Sequence, residues 1–493
     1  MIWNLSLLLM AQDTVIVYPR VKIYDHPTNQ TLLNGEREII SMDKSASGQE
    51  LYVGFESRTD GDLAKLLYST DRGQTWTDLS GIGWPSQTKR HCSLSKGGGL
   101  GYMTWNLYSS TFASVIYVTR RKDATSVELA DRTSDFYQEY DGNTVNRWYP
   151  TVAVSPGGDT VYSAWLSQDP TTLNWVYADY SFRECGQWNC FNTMGYYDFD
   201  VIAADCRRPV LRMDNLGYIY LQYTNSTNAR IYLARPQVPF PTESDSWITG
   251  LRAVTPAGYT TEIASATSGS HTSMEILGVQ PNTRTFHAWA STDSVIYFRK
   301  STDGGNTFIS DPVRVSDPGH KGIWPQLDIS AGGDTVMIAW RELSGPDSDI
   351  YLDYSVDGGL SWHTDIVLDA TTGEAAAFPH IAIIENCAYV IYNENSWLGD
   401  VWMVKACIEP PVGADEWASS AGDLRVIGAR GALVIKGKMG PCEIKIYNAR
   451  GGLVESYCGP IKGERVFSLK PGVYFVRITQ DRPFVLTKRV AVY

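Results

Sequence analysis

The sequence predicts an all-β protein: a seven-bladed (alternatively six-bladed) β-propeller followed by a small antiparallel β-sandwich. Three observations carry that prediction: a recurring pair of strands, a composition rich in strand and turn residues, and an abrupt change of charge near residue 423. The recurring pattern is an apolar strand, a tight turn that is mostly Gly-rich, and a second strand ending in an aromatic residue. Its copies begin at Arg37, Arg90, Tyr149, Arg208, His271, Trp324 and Phe378, at steps of 53, 59, 59, 63, 53 and 54 residues. A period of about 50 residues with several strands per repeat is the signature of a β-propeller.

The composition agrees. Of 493 residues, 43% are hydrophobic, 12% aromatic and only 19% charged, with 43 Gly and 29 Tyr. Such a chain is not disordered or collagen-like, and a charge-rich helical one is excluded on the same grounds. Tyr and Trp suit a pleated, half-buried surface, and Gly suits the turns between short strands. The net charge of −12 argues against duplex nucleic acid as a partner, which needs a concentrated basic face.

That charge is unevenly held. Between Asp423 and Tyr493 there are 13 Lys+Arg against 5 Asp+Glu, a net of +8, which leaves −20 on residues 1–422. Pro410, Pro411 and Gly413 stiffen and then loosen the junction. The expected organisation is a signal-like segment 1–11, a propeller 12–408, a linker 409–422 and a sandwich 423–493. Met1 to Ala11 is a short apolar run ending in a small residue, the pattern of a secretory signal without its charged start. No other stretch reaches the ~20 apolar residues that span a bilayer, so the expectation is a protein that is not transmembrane. The seventh repeat is short of strands, and the run Thr14 to Tyr24 is expected to complete it and close the ring.

Eight cysteines fit an oxidising compartment better than a metal centre, since none has ligand spacing. Cys387 and Cys407 lie symmetrically about Trp397, and Cys442 and Cys458 about Arg450. Residues equidistant from a hairpin tip face each other within disulfide reach, so both pairs are expected to be bonded. Cys92, Cys185, Cys190 and Cys206 allow three connectivities that sequence does not separate.

A sharper motif stands after the third strand of three repeats: Ser69-Thr-Asp71-Arg-Gly73-Gln-Thr75-Trp76, Ser301-Thr-Asp303-Gly-Gly305-Asn-Thr307-Phe308 and Ser355-Val-Asp357-Gly-Gly359-Leu-Ser361-Trp362. Asp can accept backbone N–H bonds inside such a turn and Gly supplies a positive φ, so Asp71, Asp303 and Asp357 are expected to be structural. The motif resembles the Asp-box, or bacterial neuraminidase repeat, of the sialidase-like β-propeller superfamily. The resemblance implies the propeller fold and a ligand face opposite the boxes, where the inner strands begin. It implies no activity by itself, because proteins carrying these boxes include sialidases, other glycosidases and non-catalytic receptors.

On that face the candidate ligand-binding residues are Arg37, Arg90, Arg147, Arg208, Arg341, Trp324 and His380. Converging arginines suit bidentate carboxylate recognition. Glu56, Glu342 and Glu394 are the candidate acid and nucleophile of a glycoside hydrolase. The bland alternative is that the arginines satisfy buried carbonyls and the aromatics plug the channel. His91, His271 and His380 come from separate repeats without ligand spacing, so neither metal nor cofactor is expected. The sialidase pattern Phe/Tyr-Arg-Ile-Pro finds its nearest counterpart in Glu36-Arg37-Glu38-Ile39, which lacks the aromatic and the Pro.

In the basic C-terminal part, Ile446 to Val454, Leu469 to Ile478 and Lys488 to Val492 resemble, in order, the three motifs of the type IX (Por) secretion system sorting domain. That resemblance implies the secretion machinery as a partner and delivery outside the cell or onto the outer-membrane surface. The leading expectation is therefore an exported propeller that binds an extracellular glycan or protein. A sialidase-like exo-glycoside hydrolase and a structural envelope protein are the alternatives.

Overall fold

A computed structural model of the chain describes residues 14–25, 40–45, 48–57, 63–79, 88–94, 101–108, 115–121, 127–132, 146–155, 160–168, 174–182, 197–198, 206–225, 228–240, 247–261, 272–343, 349–369, 376–394, 400–409, 425–429, 432–448, 453–470, 472–479 and 485–492. The expected signal 1–11 and most of the linker, with Arg37, His271, Cys185 and Cys190, lie outside the described residues. Thr14–Glu409 forms one compact unit, and the strands from Arg425 to Val492 belong to another.

The first unit is an all-β propeller. Its strands form antiparallel sheets, six of them simple four-stranded meanders. Sheet I holds Ile40–Lys44, Leu51–Ser57, Leu63–Ser69 and Thr77–Asp78; sheet II holds Thr88–Leu94, Met103–Tyr108, Val115–Arg121 and Val127–Arg132. Sheet III holds Asn146–Val154, Thr160–Gln168, Asn174–Phe182 and Tyr197–Asp198; sheet IV holds Cys206–Met213, Ile219–Asn225, Arg230–Pro236 and Trp247–Ala253. Sheet V holds Thr272–Leu277, Arg284–Ala290, Ile296–Ser301 and Ile309–Arg314; sheet VI holds Gly322–Ile329, Val336–Glu342, Ile350–Ser355 and Ile366–Asp369. Sheet VII joins Ala377–Ile384, Cys387–Asn393 and Val401–Glu409 to the N-terminal strands Thr14–Val17 and Val21–Tyr24. The first strand of each sheet packs on the first strand of the next, and that of sheet VII packs back on that of sheet I. The ring is closed.

Among the described residues neighbouring sheets share no backbone ladder, and side chains join them. The aromatics that end the second strands, Phe55, Trp105, Trp165, Tyr223, Trp289, Trp340 and Tyr392, are at most 2% exposed. They supply much of the apolar area buried between sheets, at about 25 cal/mol per Å². Polar links run around the axis as well. Leu94 N–H donates to Ser41 Oγ (3.0 Å), Leu211 N–H to Thr151 Oγ1 (3.2 Å) and Leu327 N–H to Ser273 Oγ (3.0 Å). At the closure, Lys44 Nζ donates to both Asp328 Oδ2 and Ile383 O at 2.6 Å, tying sheets I, VI and VII together.

The N-terminal run supplies the outer edge of sheet VII, in two pieces rather than one. Both pair with Val401–Glu409, and Pro19 lies in the gap between them, where a ladder N–H is not required. The break frees Arg20, which bonds Asp369 (3.2 Å) and Glu394 and lies 4.0 Å over the Trp402 ring. Cys387 and Cys407 face each other in register and are disulfide-bonded.

Each Asp-box is a closed hydrogen-bonded turn. In the third, Ser355 Oγ donates to Asp357 Oδ1 (2.7 Å), Ser361 N–H donates to the same oxygen (3.0 Å), and Ser361 Oγ donates to Oδ2. Asp71 and Asp303 make the equivalent bonds with Ser69 and Thr75, and with Ser301 and Thr307. Burial opposes ionisation of Asp357, but bonds from Ser361, Ser355 and Leu360 outweigh it and hold this carboxyl at about 2.

In the second unit the expected sandwich gives way to a single five-stranded sheet. One long strand, Ala432–Asn448, pairs with Arg425–Ala429 near its start, Gly472–Thr479 near its end and Leu453–Ser468 along its length. Val485–Val492 completes the sheet beside Gly472–Thr479. A register shift between Met439 and Pro441 changes which parity faces inward. Leu433 and Ile435 therefore enter the same core as Ile444 and Ile446.

The expected Cys442–Cys458 bond is also overturned, since both thiols are free. A register shift between Ile446 and Tyr447 slips the hairpin by one residue, so Cys442 opposes Gly459 and Cys458 opposes Glu443. A one-residue slip turns a side chain to the other face, and accordingly Cys442 is buried and Cys458 exposed.

Candidate functional site

Five first strands share an irregularity at the end where they begin. The register shifts between Arg90 and Ser93, Trp148 and Thr151, Arg207 and Val210, Ile323 and Gln326, and Ala377 and His380. In three of these bulges the extra residue is left-handed: Arg208 (φ 47°), Trp324 (φ 57°) and Phe378 (φ 52°). Each precedes a proline, and Tyr149-Pro150 repeats the sequence pattern in sheet III. Bulky residues at positive φ cost of order 1–3 kcal/mol apiece and persist where the surroundings over-determine them. Bulges also re-aim side chains, and they concentrate near functional sites.

Two of the re-aimed residues meet. The Trp324 and Phe378 rings stack at 4.2 Å with planes 13° apart, and the Arg341 guanidinium lies 5.0 Å from the Trp324 centroid. Trp324 and Phe378 are buried in the cluster that includes Ile40, Phe55 and Ile323. Arg341 is half-buried, and that burial lowers its pKa. The stack thus joins sheets VI and VII through two aromatics and places one guanidinium within cation–π reach of the indole.

The remaining candidates separate. Arg208 and His380 are buried in the first strands of sheets IV and VII. Glu56, Arg90 and Arg147 lie within strands of sheets I, II and III. Glu342 follows Arg341 in an extended strand and so points to the other face, where Oε1 accepts from Lys321 N–H at 2.7 Å and Oε2 from Trp340 Nε1 at 3.4 Å. Glu394 is paired with Arg20.

One constellation escaped the sequence reading. Between sheets V and VI, the ligand atoms of Asp317, His320 and Asp365 lie within 4.8 Å of one another. Asp317 N–H donates to Asp365 Oδ2 (2.9 Å), Asp365 N–H donates to Asp317 Oδ2 (3.1 Å), and His320 Nδ1 is 2.5 Å from Asp365 Oδ2. Its residues lie up to 48 positions apart in the chain, so no local spacing marks it.

Comparison with known proteins supports the fold and leaves the activity open. No family model matches the chain, and no curated protein matches it. Among solved structures, BP39L lectin from Burkholderia pseudomallei matches with a TM-score of 0.50 at 12% identity, over 77% of this chain and 99% of that one. A Trypanosoma rangeli sialidase matches over 96% of this chain and 88% of that one, at 10% identity and TM-score 0.44. The Aleuria aurantia lectin, described as six-bladed and fucose-recognising, covers 69% of this chain and 100% of its own at 11% identity and TM-score 0.40. At such identities the likeness concerns the propeller fold alone.

Proposed function

We propose that this chain is an exported, surface-associated propeller that binds an extracellular glycan, preferably one bearing a carboxylate, at the face where the first strands begin. Each of its sheets is read as one blade, seven in all. The observation that carries the proposal is the Arg341–Trp324–Phe378 stack, built by two strained bulges in adjacent sheets. A guanidinium already packed beside an indole has lost part of its rotamer freedom before a ligand arrives, which reduces the ordering cost of carboxylate binding. The lectin likeness is compatible with this reading through the fold. Glycoside hydrolysis is the alternative reading, with Glu56, Glu342 and Glu394 as its candidate acid and nucleophile. Export by a type IX machinery rests on the C-terminal motifs, and secretion on the N-terminal apolar run.

A glycan array spanning neutral and acidic sugars tests the binding proposal. Binding should concentrate on acidic glycans and fall at least tenfold in Arg341→Ala. Arg341→Lys should not restore it, because an ammonium keeps the charge and loses the fork. Equal binding by wild type and Arg341→Ala would overturn the assignment.

A further inference from the structure

Asp353 stands behind the Asp317–His320–Asp365 group. It is fully buried in the third strand of sheet VI, one step beyond the Leu352–Ile366 pair that links that strand to the fourth. Asp365 is the next residue back on the fourth strand, so Asp353 and Asp365 lie across from each other on one face. Asp353 Oδ1 accepts from Tyr354 N–H at 2.6 Å, whereas Oδ2 accepts nothing. The Asp365 side chain has no exposed surface, and its Oδ1 likewise accepts nothing. Two buried carboxylate oxygens thus lack donors, one of them on Asp365 within the group itself.

We propose that Asp317, His320 and Asp365 form a site for one divalent cation of the zinc or manganese class, where the connection between sheets V and VI meets sheet VI. Carboxylate oxygens with a single imidazole suit these ions, whereas calcium favours ligand shells of oxygen alone. The group has the frame such a site needs. Lys321 N–H donates to Glu342 Oε1 at 2.7 Å, and Arg314 donates to Ser316 O (2.7 Å) and Asp317 O (3.0 Å), fixing both ends of the loop that carries Asp317 and His320. The His320 ring packs edge-on against Tyr351 at 5.2 Å. A cation would supply the missing partner of Asp365 Oδ1.

The full chain, stripped by chelator and dialysed, is tested by thermal melting with Zn²⁺, Mn²⁺ or Ca²⁺ alone and by metal analysis after gel filtration. Zinc or manganese should raise Tm by several degrees and remain bound near one ion per chain. Asp365→Asn and Asp317→Asn, which keep side-chain size, should fold with unchanged circular dichroism, bind substoichiometrically and lose the Tm shift. His320→Ala should weaken zinc retention at least tenfold. No shift with any ion, an equal shift in the variants, or a response to calcium alone would overturn the proposal.

Discussion

Gly359 of the third Asp-box lies directly against Phe298 of the preceding sheet: a Cβ at Gly359 would stand 2.1 Å from Phe298 Cε1. The same relation holds for Gly305 with Leu233 (2.3 Å to Cδ2) and Gly73 with Met403 (2.5 Å to Cε). Each box therefore closes its own hairpin and also docks on the sheet before it in the ring. Glycine is required twice over, since Gly359 has φ +87° and no room. Gly359→Ala should cost about 3 kcal/mol, combining overpacking with the left-handed conformation. Gly258→Ala is the control, because Gly258 has φ +92° with nothing within 4 Å. Urea denaturation of the two variants separates the terms, and equal losses would refute the docking role.

The hydrogen bonds to Asp357 predict an acid-sensitive turn. Its folded pKa, about 2, lies below the ordinary carboxyl value, so its contribution is present above that ordinary value and is lost as pH falls through about 2. Asp357→Asn should cost about 1 kcal/mol at pH 7 and progressively less as the pH approaches 2. Urea midpoints measured from pH 7 downward check this; a cost independent of pH would contradict it.

The fold was legible because repetition leaves a mark on the chain. The aromatics from Phe55 to Tyr392 recur at the same position in every repeat, and each is buried between sheets. The site was less legible. Arg341 and Glu342 adjoin in sequence and look like one site, yet strand alternation sends them to opposite faces. Register slips such as the one beside Tyr447 have no composition signature, so symmetry about a turn placed Cys442 opposite Cys458 when the ladder does not. The Asp317 group joins the loop between sheets V and VI to the residue just before the fourth strand of sheet VI, and only the folded chain brings them together. The bulges did leave a trace, a proline second in the pattern at Pro150, Pro209, Pro325 and Pro379.

His287 gives a second pH prediction of different origin. It is fully buried in sheet V, with Nδ1 against Gln222 Oε1 and Nε2 against Thr285 Oγ1. Burial, and then the Arg299 charge, lower its pKa to about 3. The unfolded chain takes up this proton first, so the contribution is intact above about pH 6.5 and declines toward pH 3. The slope from this one group approaches 1.4 kcal/mol per pH unit. His287→Gln should be less stable at pH 7 yet lose less on acidification to pH 5. Parallel slopes for the two proteins would show that His287 is not the titrating group.

Thiol reactivity tests the C-terminal register. Cys458 is exposed, whereas Cys442 is buried, donates to Gly459 O (3.2 Å), and has its pKa raised by that burial. The thiolate is the reactive form, so Cys458 should be alkylated by iodoacetamide in the native protein and Cys442 only after denaturation. Cys387 and Cys407 should resist until reductant is added. Peptide mapping of native, denatured and reduced samples distinguishes the three classes. A peptide pair linked through Cys442 and Cys458 would restore the symmetric hairpin and displace the slipped one. Simultaneous modification of the two thiols in the native state would instead mean that Cys442 does not face the core with Ile444 and Ile446.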